Sequence, residues 1–264
     1  MPEGDVVLRT ARRLHLALAG RVLTKSDLRW PSLATVDLTG RTVLEVVAVG
    51  KHLLIRVGTD PGEATASDRT EDPAAGGLTL HSHLRMDGSW HVHRTGRRWN
   101  ARPEHGIRVI LANTDWSAVG HKLGMLDLVS TDHEDSLIGH LGPDILAPGW
   151  DLADATERVQ AEPERLIGEV LLDQRVIAGI GTFFMTEACF LRGVNPWQVV
   201  REVGDPAALV EMAHRLMTAN VERAVQVTTG DAGGVRSSGC ILVPGGRAGD
   251  VAPPSGWPRS ERLR

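Results

Sequence analysis

The spacing of apolar residues divides this chain of 264 residues into a strand-rich first half and a helical second half. Between Asp5 and Gly20, apolar residues recur at helical spacing, which predicts an amphipathic helix capped by Asp5 and stopped by Gly20. Five strand-like runs follow, at residues 42–49, 52–57, 78–84, 89–93 and 106–112. Strand character continues over residues 116–130, whereas residues 59–77 are acidic, rich in proline and glycine, and typical of a solvated loop.

The second half follows a helical period. Three segments are predicted as helices, at residues 151–160, 165–172 and 182–191. The dipeptide Asp205-Pro206 is a favourable start for one long helix that we expect to end near Thr228. Residues 231–264 show no apolar period.

Composition narrows the class of protein. Hydrophobic residues make up 42% and charged residues 23% of the chain, as in globular proteins, which excludes a mainly disordered or fibrous chain. No apolar run approaches the roughly 20 residues of a membrane span, and the acidic start Met1-Pro2-Glu3-Gly4-Asp5 does not resemble a secretory signal. We therefore expect a cytoplasmic protein without a membrane partner.

Charge is unevenly distributed, although the net charge is −4. Residues 1–58 carry nine basic and five acidic side chains, and residues 80–110 carry six basic and two acidic ones. Each of these segments therefore has a net charge of +4. Segregated charge of this kind permits an anionic partner on one face, but it is equally compatible with an ordinary patchy surface.

Three short motifs carry candidate chemistry. Removal of Met1 would expose the secondary amine of Pro2, which can attack an aldehyde to form an iminium, with Glu3 beside it as an acid or base. Lys51 follows Gly50 at a predicted hairpin tip, where it can contact phosphate or act as a general acid, or simply be solvated. Residues 172–182 run from a helix through a Gly-x-Gly turn into a helix capped by Thr182, an arrangement that can cradle a phosphate or form a plain helical hairpin.

Taken together and in this order, these motifs resemble the formamidopyrimidine-DNA glycosylase/endonuclease VIII family. The resemblance covers roughly residues 1–230 and includes the segment from His83 to Trp90; the start of the chain is most similar to the actinobacterial endonuclease VIII branch. It implies an α+β protein with an N-terminal β-sandwich that has one leading helix (1–133), followed by a helix–two-turns–helix domain (134–230). Residues 231–264 are predicted as an irregular tail in place of the last region of the family.

The resemblance also implies a function. It predicts a nucleoid-associated, monomeric enzyme that binds damaged double-stranded or single-stranded DNA, excises oxidised bases and cleaves the abasic site. In this interpretation Pro2 is the nucleophile, Glu3 the acid/base and Lys51 a catalytic lysine that contacts phosphate. Met86 matches the side chain that fills the gap left by an extruded nucleotide. Gly179 and Gly181 belong to the turn that would bind DNA.

Two positions depart from the family pattern. His121-Lys122-Leu123-Gly124 replaces an Arg-Arg-Phe-Gly loop; we expect Leu123 to wedge into the base stack and Lys122 to reach phosphate or the orphaned base. His121 loses the bidentate base contact of arginine, which bears on the choice of opposite base. Thr182 stands where the family has a phosphate-binding asparagine, and threonine reaches less far.

The tail departs most from the family, which ends in a zinc finger with two Cys-x-x-Cys pairs. The chain contains only two cysteines, Cys189 and Cys240, and the residues after position 189 include just one of them. One thiolate cannot assemble a tetrahedral structural site, so the finger is predicted to be missing or degenerate and no metal or other cofactor is expected. Natural degeneration and a late frameshift explain such a tail equally well.

Two alternatives remain at this point. Two histidine pairs, at His81/His83 and His91/His93, would meet if the chain turned back at Asp87-Gly88, and four imidazoles could hold a transition metal. The other alternative is a catalytically impaired relative that only binds abasic or damaged DNA.

The cysteine count yields one direct test. Purified protein should contain less than one zinc ion per chain, and chelators should leave its melting temperature unchanged, because a structural zinc would contribute to the free energy of folding. Elemental analysis and thermal melts measure both. One tightly held zinc per chain would contradict the prediction.

Overall fold

The computed structural model describes residues 2–58, 77–97 and 104–228. The predicted loop at 59–77, except for Gly77, and the predicted irregular tail at 231–264 lie outside the described residues. The region in which relatives carry a C-terminal zinc finger is therefore not described, and the predicted loss of the finger stays a prediction.

The first half forms two antiparallel sheets that pack as a β-sandwich, as predicted. Within the described ranges, the strands number nine: β1 Arg21–Val22, β2 Lys25–Leu28, β3 Thr42–Val49, β4 His52–Gly58, β5 Leu78–His83, β6 Ser89–Arg94, β7 Ile107–Ala112, β8 Trp116–His121 and β9 Met125–Ser130. One sheet has the strand order β1-β3-β4-β5-β9, and the other has the order β2-β7-β8-β6. All five runs predicted as strands are confirmed, and residues 116–130 form β8 and β9. Strands β1 and β2 were not predicted, because both are short and β2 (Lys-Ser-Asp-Leu) is largely polar.

The leading helix closes the sandwich core. Helix α1 spans Gly4–Leu18 and buries its apolar side, including Leu14 and Leu18, in the same core as residues of both sheets. The predicted N-cap residue, Asp5, is wrong. Glu3 is the N-cap residue, and Asp5 lies in the first turn of the helix. Asp5 is fully buried there, where both of its carboxylate oxygens accept hydrogen bonds from Gln226.

Five further helices follow the sandwich in the described part of the chain: α2 Asp135–Ile138, α3 Leu152–Gln160, α4 Ile167–Leu172, α5 Thr182–Arg192 and α6 Pro206–Asn220. Helices α3 to α6 share a second apolar core around the fully buried Phe184. The predicted helices are thus confirmed, and α4, the turns at residues 173–181 and α5 form the helix–two-turns–helix element. The single-turn helix α2 was not predicted.

Helix α6 begins as predicted and ends earlier than predicted. Asp205 caps it by accepting a hydrogen bond from the amide of Ala208. The helix ends at Asn220 rather than near Thr228, because the Asn220 side chain binds the backbone of Val227 through both its oxygen and its nitrogen. Those two bonds fold the chain back against the end of the helix and replace helical hydrogen bonding.

A charged network ties the sandwich to the segment that leaves it. Arg56 on β4 donates two hydrogen bonds, each 2.7 Å long, to the two carboxylate oxygens of Glu134, which directly precedes α2. Glu134 also accepts a hydrogen bond from Thr79 on β5, while a third nitrogen of Arg56 reaches Glu45 on β3. A bidentate pair of this kind fixes both partners in one geometry.

In the described part of the chain, no helix is both long and apolar enough to span a membrane.

The Arg56–Glu134 pair predicts a stability that depends on pH. Glu134→Gln should lower the free energy of unfolding at pH 7 by about 1–3 kcal/mol, because it removes a charged, mostly buried hydrogen-bond acceptor. The hydrogen bonds from Arg56 hold the pKa of Glu134 below its ordinary value of 4.5. Its contribution is therefore present above that value and is lost as the pH falls through the lower pKa of the folded state.

Denaturant unfolding at a series of pH values between neutral and acid measures this contribution. The difference between wild type and Glu134→Gln should shrink as the pH falls. Glu157→Gln, at an exposed position on α3, is the matched control and should change stability little. A difference that stays constant with pH would show that the charge of Glu134 does not contribute.

Candidate active site

The carboxylate of Glu3 is bound by the start of helix α5, which lies 178 residues further along the chain. Its two oxygens accept hydrogen bonds from three backbone amides: Gly181 at 3.0 Å, Phe183 at 2.7 Å and Phe184 at 3.3 Å. Glu3 is fully buried as a result. A helix N-terminus offers unpaired amides and a positive dipole end, so a carboxylate there is strongly stabilised.

This arrangement bears on two predictions about the glycine turn. The amides of Gly181, Phe183 and Phe184 donate to Glu3 of the same chain, so these three are engaged by a protein carboxylate; the binding of DNA by the turn stays a prediction. Thr182 is the first residue of α5 rather than its cap, and no side-chain cap hydrogen bond is formed at this helix start; Glu3 supplies the acceptor. Gly181 is required for this contact, because a Cβ at that position would lie 2.3 Å from the carboxyl carbon of Glu3. The side chain of Thr182 is exposed.

Gly179 completes the connection between the N-terminus and the turn. Its carbonyl accepts a 3.0 Å hydrogen bond from the amide of Gly4, and its own amide donates to the side chain of Gln174 at 3.0 Å. Gln174 also donates to the carbonyls of Leu172 and Ile180, which holds the turn closed. The half-buried Pro2 directly precedes this anchored segment, so its position at the junction of the two domains is set by its neighbours.

Lys51 lies at the tip of the β3–β4 hairpin, as predicted, and the tip is docked onto the helical domain. Gly50 adopts a φ of +57°, which glycine tolerates in a two-residue turn. Its amide donates to Asp144 at 2.8 Å, and a Cβ on Gly50 would lie 2.9 Å from the Cβ of Ala178. The hairpin tip therefore approaches the same turn that binds Glu3.

Burial moves the acid–base properties of Glu3 and Lys51 in opposite directions. Desolvation raises the pKa of Glu3, an effect opposed by its three amide hydrogen bonds and by the nearby positive charge of Lys51. Desolvation lowers the pKa of Lys51, an effect opposed by the negative charge of Glu3. Each group therefore favours its neutral form more than it would in water, and the pair lies close enough to interact electrostatically. Perturbed, mutually coupled groups at a domain junction are typical of a functional site.

The residues predicted to enter the DNA duplex fall into two groups. Met86 is 65% exposed and lies in the turn between β5 and β6, where a probing side chain is accessible. Lys122 is exposed at a turn with a φ of +49°. His121 and Leu123 are buried, and Leu123 packs in the core of the sandwich. To act as a wedge, Leu123 would have to leave that core, and the His121 side chain would have to leave its buried position to contact a base.

The proposed four-histidine metal site is wrong. His81 and His83 lie on β5, whereas His91 and His93 lie on β6 of the other sheet. The two pairs are therefore separated by the sandwich rather than brought together by the turn at Asp87-Gly88. Among the residues that the structure describes, no group of three or more histidine, cysteine or acidic side chains could hold a metal ion. The absence of a cofactor stays a prediction, since residues 231–264 are not described.

Sequence reasoning missed three contributors to the site. Asp144 accepts hydrogen bonds from both Gly50 and Leu146, and Gln174 braces the glycine turn. His52, next to Lys51, is hydrogen-bonded to His81 on the neighbouring strand. Gln174 lies in the segment 172–182, and His52 directly follows the Gly50-Lys51 turn. Their hydrogen bonds to Gly179 and His81 depend on the folded turn and on the strand register, which the sequence does not show.

Comparison with known proteins agrees with this architecture. The family model described as the formamidopyrimidine-DNA glycosylase N-terminal domain matches residues 1–142, and that of the formamidopyrimidine-DNA glycosylase H2TH domain matches residues 141–233. An endonuclease 8 of Streptomyces coelicolor is 53% identical over 232 residues, which cover 87% of this chain and 78% of the relative. A DNA-(apurinic or apyrimidinic site) lyase of Mycolicibacterium smegmatis is 38% identical over 250 residues, covering 95% of this chain and 88% of the relative.

Solved structures share the fold. The formamidopyrimidine-DNA glycosylase of Lactococcus lactis, in complex with DNA that contains N7-benzyl-Fapy-dG, superposes with a TM-score of 0.65 at 20% sequence identity. The match covers 83% of this chain and 79% of that one. With both family models matched and relatives well above 30% identity, this chain belongs to the formamidopyrimidine-DNA glycosylase/endonuclease VIII family.

Proposed function

We propose that this protein excises oxidised bases, with pyrimidines favoured, and then cleaves the abasic site by β-elimination, with a second, δ-elimination possible. Its class as a DNA glycosylase and abasic-site lyase of base excision repair follows from its family. The named lesion class, the residue roles and action as a monomer on double-stranded or single-stranded DNA are the parts that we propose here.

One observation carries the proposal: next to Pro2, the Glu3 carboxylate is anchored by three amides at the start of α5. A buried carboxyl whose pKa is raised is a competent proton donor. Pro2 precedes it by one residue, so the amine and the acid face one substrate from the same short segment. Lys51 adds a cation at the docked hairpin tip. The domain junction therefore combines the Pro2 amine, the Glu3 acid and the Lys51 cation. This combination suits the cleavage of a glycosidic bond beside a phosphate.

The reaction then proceeds in balanced steps. Glu3 protonates the departing base while the nitrogen of Pro2 attacks C1′ of the sugar and breaks the glycosidic bond. The proton of the resulting ammonium passes to the ring oxygen O4′, and the nitrogen lone pair then breaks the C1′–O4′ bond. The products are an iminium between the nitrogen and C1′ and a free hydroxyl at C4′. The iminium draws electrons from the C2′–H bond, a base takes that proton, and the C3′–O bond breaks with departure of the 3′-phosphate. Lys51 offsets the negative charge of the phosphate.

Three exposed side chains would contact the bound DNA duplex. Met86 would fill the gap that the extruded nucleotide leaves, since it is apolar and accessible. Lys122 would contact phosphate or the orphaned base, and the exposed Thr182 would contact phosphate at the start of α5. We assign no wedge role to Leu123 or base-reading role to His121 and no phosphate-cradling role to the amide of Gly181, because the first two are buried and the last is bound to Glu3.

The nucleophile can be tested through the N-terminus. A form that retains Met1 should lose strand cleavage, because the Pro2 nitrogen becomes an amide without a basic lone pair. Pro2→Gly, processed to a free N-terminus, should keep part of the lyase activity through its primary amine. Borohydride trapping on an oligonucleotide with one abasic site, with the N-terminus checked by mass spectrometry, measures both.

The same assay separates an enzyme from a protein that only binds damaged DNA, since only an enzyme forms the covalent adduct. Full strand cleavage by a form proven to retain Met1 would rule out Pro2. Binding without any trapping by the processed wild type would favour the binding-only alternative.

The roles of Glu3 and Lys51 can be separated by substrate. Glu3→Gln should lose excision of a base lesion by about 10²-fold or more and lose less activity on a pre-formed abasic site, where no glycosidic bond remains to be cleaved. Lys51→Ala should weaken both excision and DNA affinity, with the salt dependence of binding reduced by about one phosphate contact. Single-turnover kinetics and binding titrations against salt measure these effects.

Thermal melts should accompany Glu3→Gln, because the variant also removes the charged acceptor at the start of α5. Lys25→Ala, at an exposed position on β2, is the matched control for Lys51→Ala. Excision that is unchanged in Lys51→Ala would make Lys51 an ordinary surface residue.

A further inference from the structure

A chain of hydrogen bonds crosses three strands of the five-stranded sheet next to Lys51. Nδ1 of His81 lies 3.0 Å from a carboxylate oxygen of Asp127 on β9, and Nε2 of His81 lies 2.8 Å from Nδ1 of His52 on β4. His81 itself lies on β5, between the other two. The order Asp127–His81–His52 resembles an acid–imidazole relay with a second imidazole at its end.

The geometry fixes which nitrogens carry protons. The carboxylate of Asp127 only accepts, so Nδ1 of His81 must donate to it. Burial lowers the pKa of His81, so the ring is neutral near pH 7 and its Nε2 accepts. Nδ1 of His52 must then donate to that nitrogen. The neutral ring of His52 is left with its lone pair on Nε2.

The exposure of the three side chains in this hydrogen-bond chain differs in the way that suits a base at the His52 end. The side chain of His81 is 2% exposed, with both nitrogens paired, whereas that of Asp127 is 44% exposed, so its charge stays solvated. His52 is half-buried and directly follows Lys51 at the hairpin tip, whose preceding residue Gly50 is bound to Asp144 of the helical domain. Within the described residues, Nε2 of His52 makes no hydrogen bond, and His52 lies one residue from Lys51, whose charge acts on Glu3.

We propose that His52 is the base that removes the C2′ proton in the elimination step, and that His81 and Asp127 are positioning residues that orient and polarise it. This inference rests on the proposed function. Nε2 of His52 takes the proton while the electrons of the C2′–H bond form the enamine with C1′; the enamine then expels the 3′-phosphate from C3′. The imidazolium is stabilised through His81 by the negative charge of Asp127 and releases its proton to water.

The charged surroundings of His52 support an unprotonated base in the free protein. The groups that face it are its neighbour Lys51, then His81 and His83 on β5, Arg85 after β5, Asp127 on β9 behind His81, and His140 after α2. Burial is the largest cause that lowers the pKa of His52, to about 3; electrostatic interactions with the neighbouring histidines and with Arg85 add to it. A DNA phosphate beside Arg85 would offset the charge of that side chain and raise the pKa of His52, which suits a base that must accept a proton during catalysis.

The test separates iminium formation from elimination. His52→Gln should trap an abasic oligonucleotide with borohydride at nearly the wild-type rate, because attack by Pro2 does not use His52. Strand cleavage without borohydride should fall by about 10²-fold. A substrate carrying deuterium at C2′ should show a larger isotope effect with His52→Gln than with wild type, since proton removal becomes slower; a merely structural role would not produce that change.

Two further variants complete the experiment. Asp127→Asn, at a half-exposed position, should slow cleavage by about 10-fold and move the acid limb of its pH profile to lower pH, because the lost carboxylate no longer raises the pKa of the relay. His93→Gln on β6 of the other sheet is the matched control and should cleave like wild type. Added imidazole should restore part of the cleavage by His52→Ala.

The outcomes distinguish the inference from the function on which it rests. If wild type traps and His52→Gln cleaves as fast as wild type, or if His52→Gln loses trapping and cleavage equally, the assignment of His52 as the elimination base is wrong and the glycosylase–lyase function stands. If wild type itself fails to trap abasic DNA, the proposed function is wrong and the role of His52 is overturned with it.

Discussion

The contact between the Glu3 carboxylate and the start of α5 is the constraint on which the site depends. Three amide hydrogen bonds fasten the second residue after Met1 to a helix of the other domain. Because Pro2 is the adjacent residue, this contact also sets the position of the amine. The same helix start would otherwise have to satisfy its amides with water or a side-chain cap, so the site and the stability of α5 rest on a single carboxylate.

That constraint has a cost, which the surrounding residues offset. A fully buried carboxylate loses its hydration, and the resulting rise in the pKa of Glu3 is the property that the proposed role as a proton donor requires. Lys51 opposes the rise without abolishing it, and Asp144 holds the hairpin that carries Lys51 against the same turn. The junction is therefore both the place where the two domains are joined and the place where acid, amine and cation meet.

Sequence alone predicts the parts that depend on local patterns. The strands, the leading helix and the Gly50-Lys51 hairpin follow from apolar period and turn chemistry. The pairing of Glu3 with the glycine turn could not be predicted, because the motif Gly-x-Gly before a helix reads equally well as a phosphate cradle. The separation of His81 from His91 depends on the assignment of β5 and β6 to different sheets, and an apolar residue such as Leu123 fits a core or a wedge equally well until packing is known.

The central claim is that the anchored N-terminus presents the Pro2 nitrogen to C1′. The most direct measurement is tandem mass spectrometry of the protein after borohydride reduction with abasic DNA and digestion of both partners. The account predicts the sugar remnant on the nitrogen of Pro2, in a peptide that begins at that residue. A remnant on the side chain of Lys51, or on any other lysine, would contradict it.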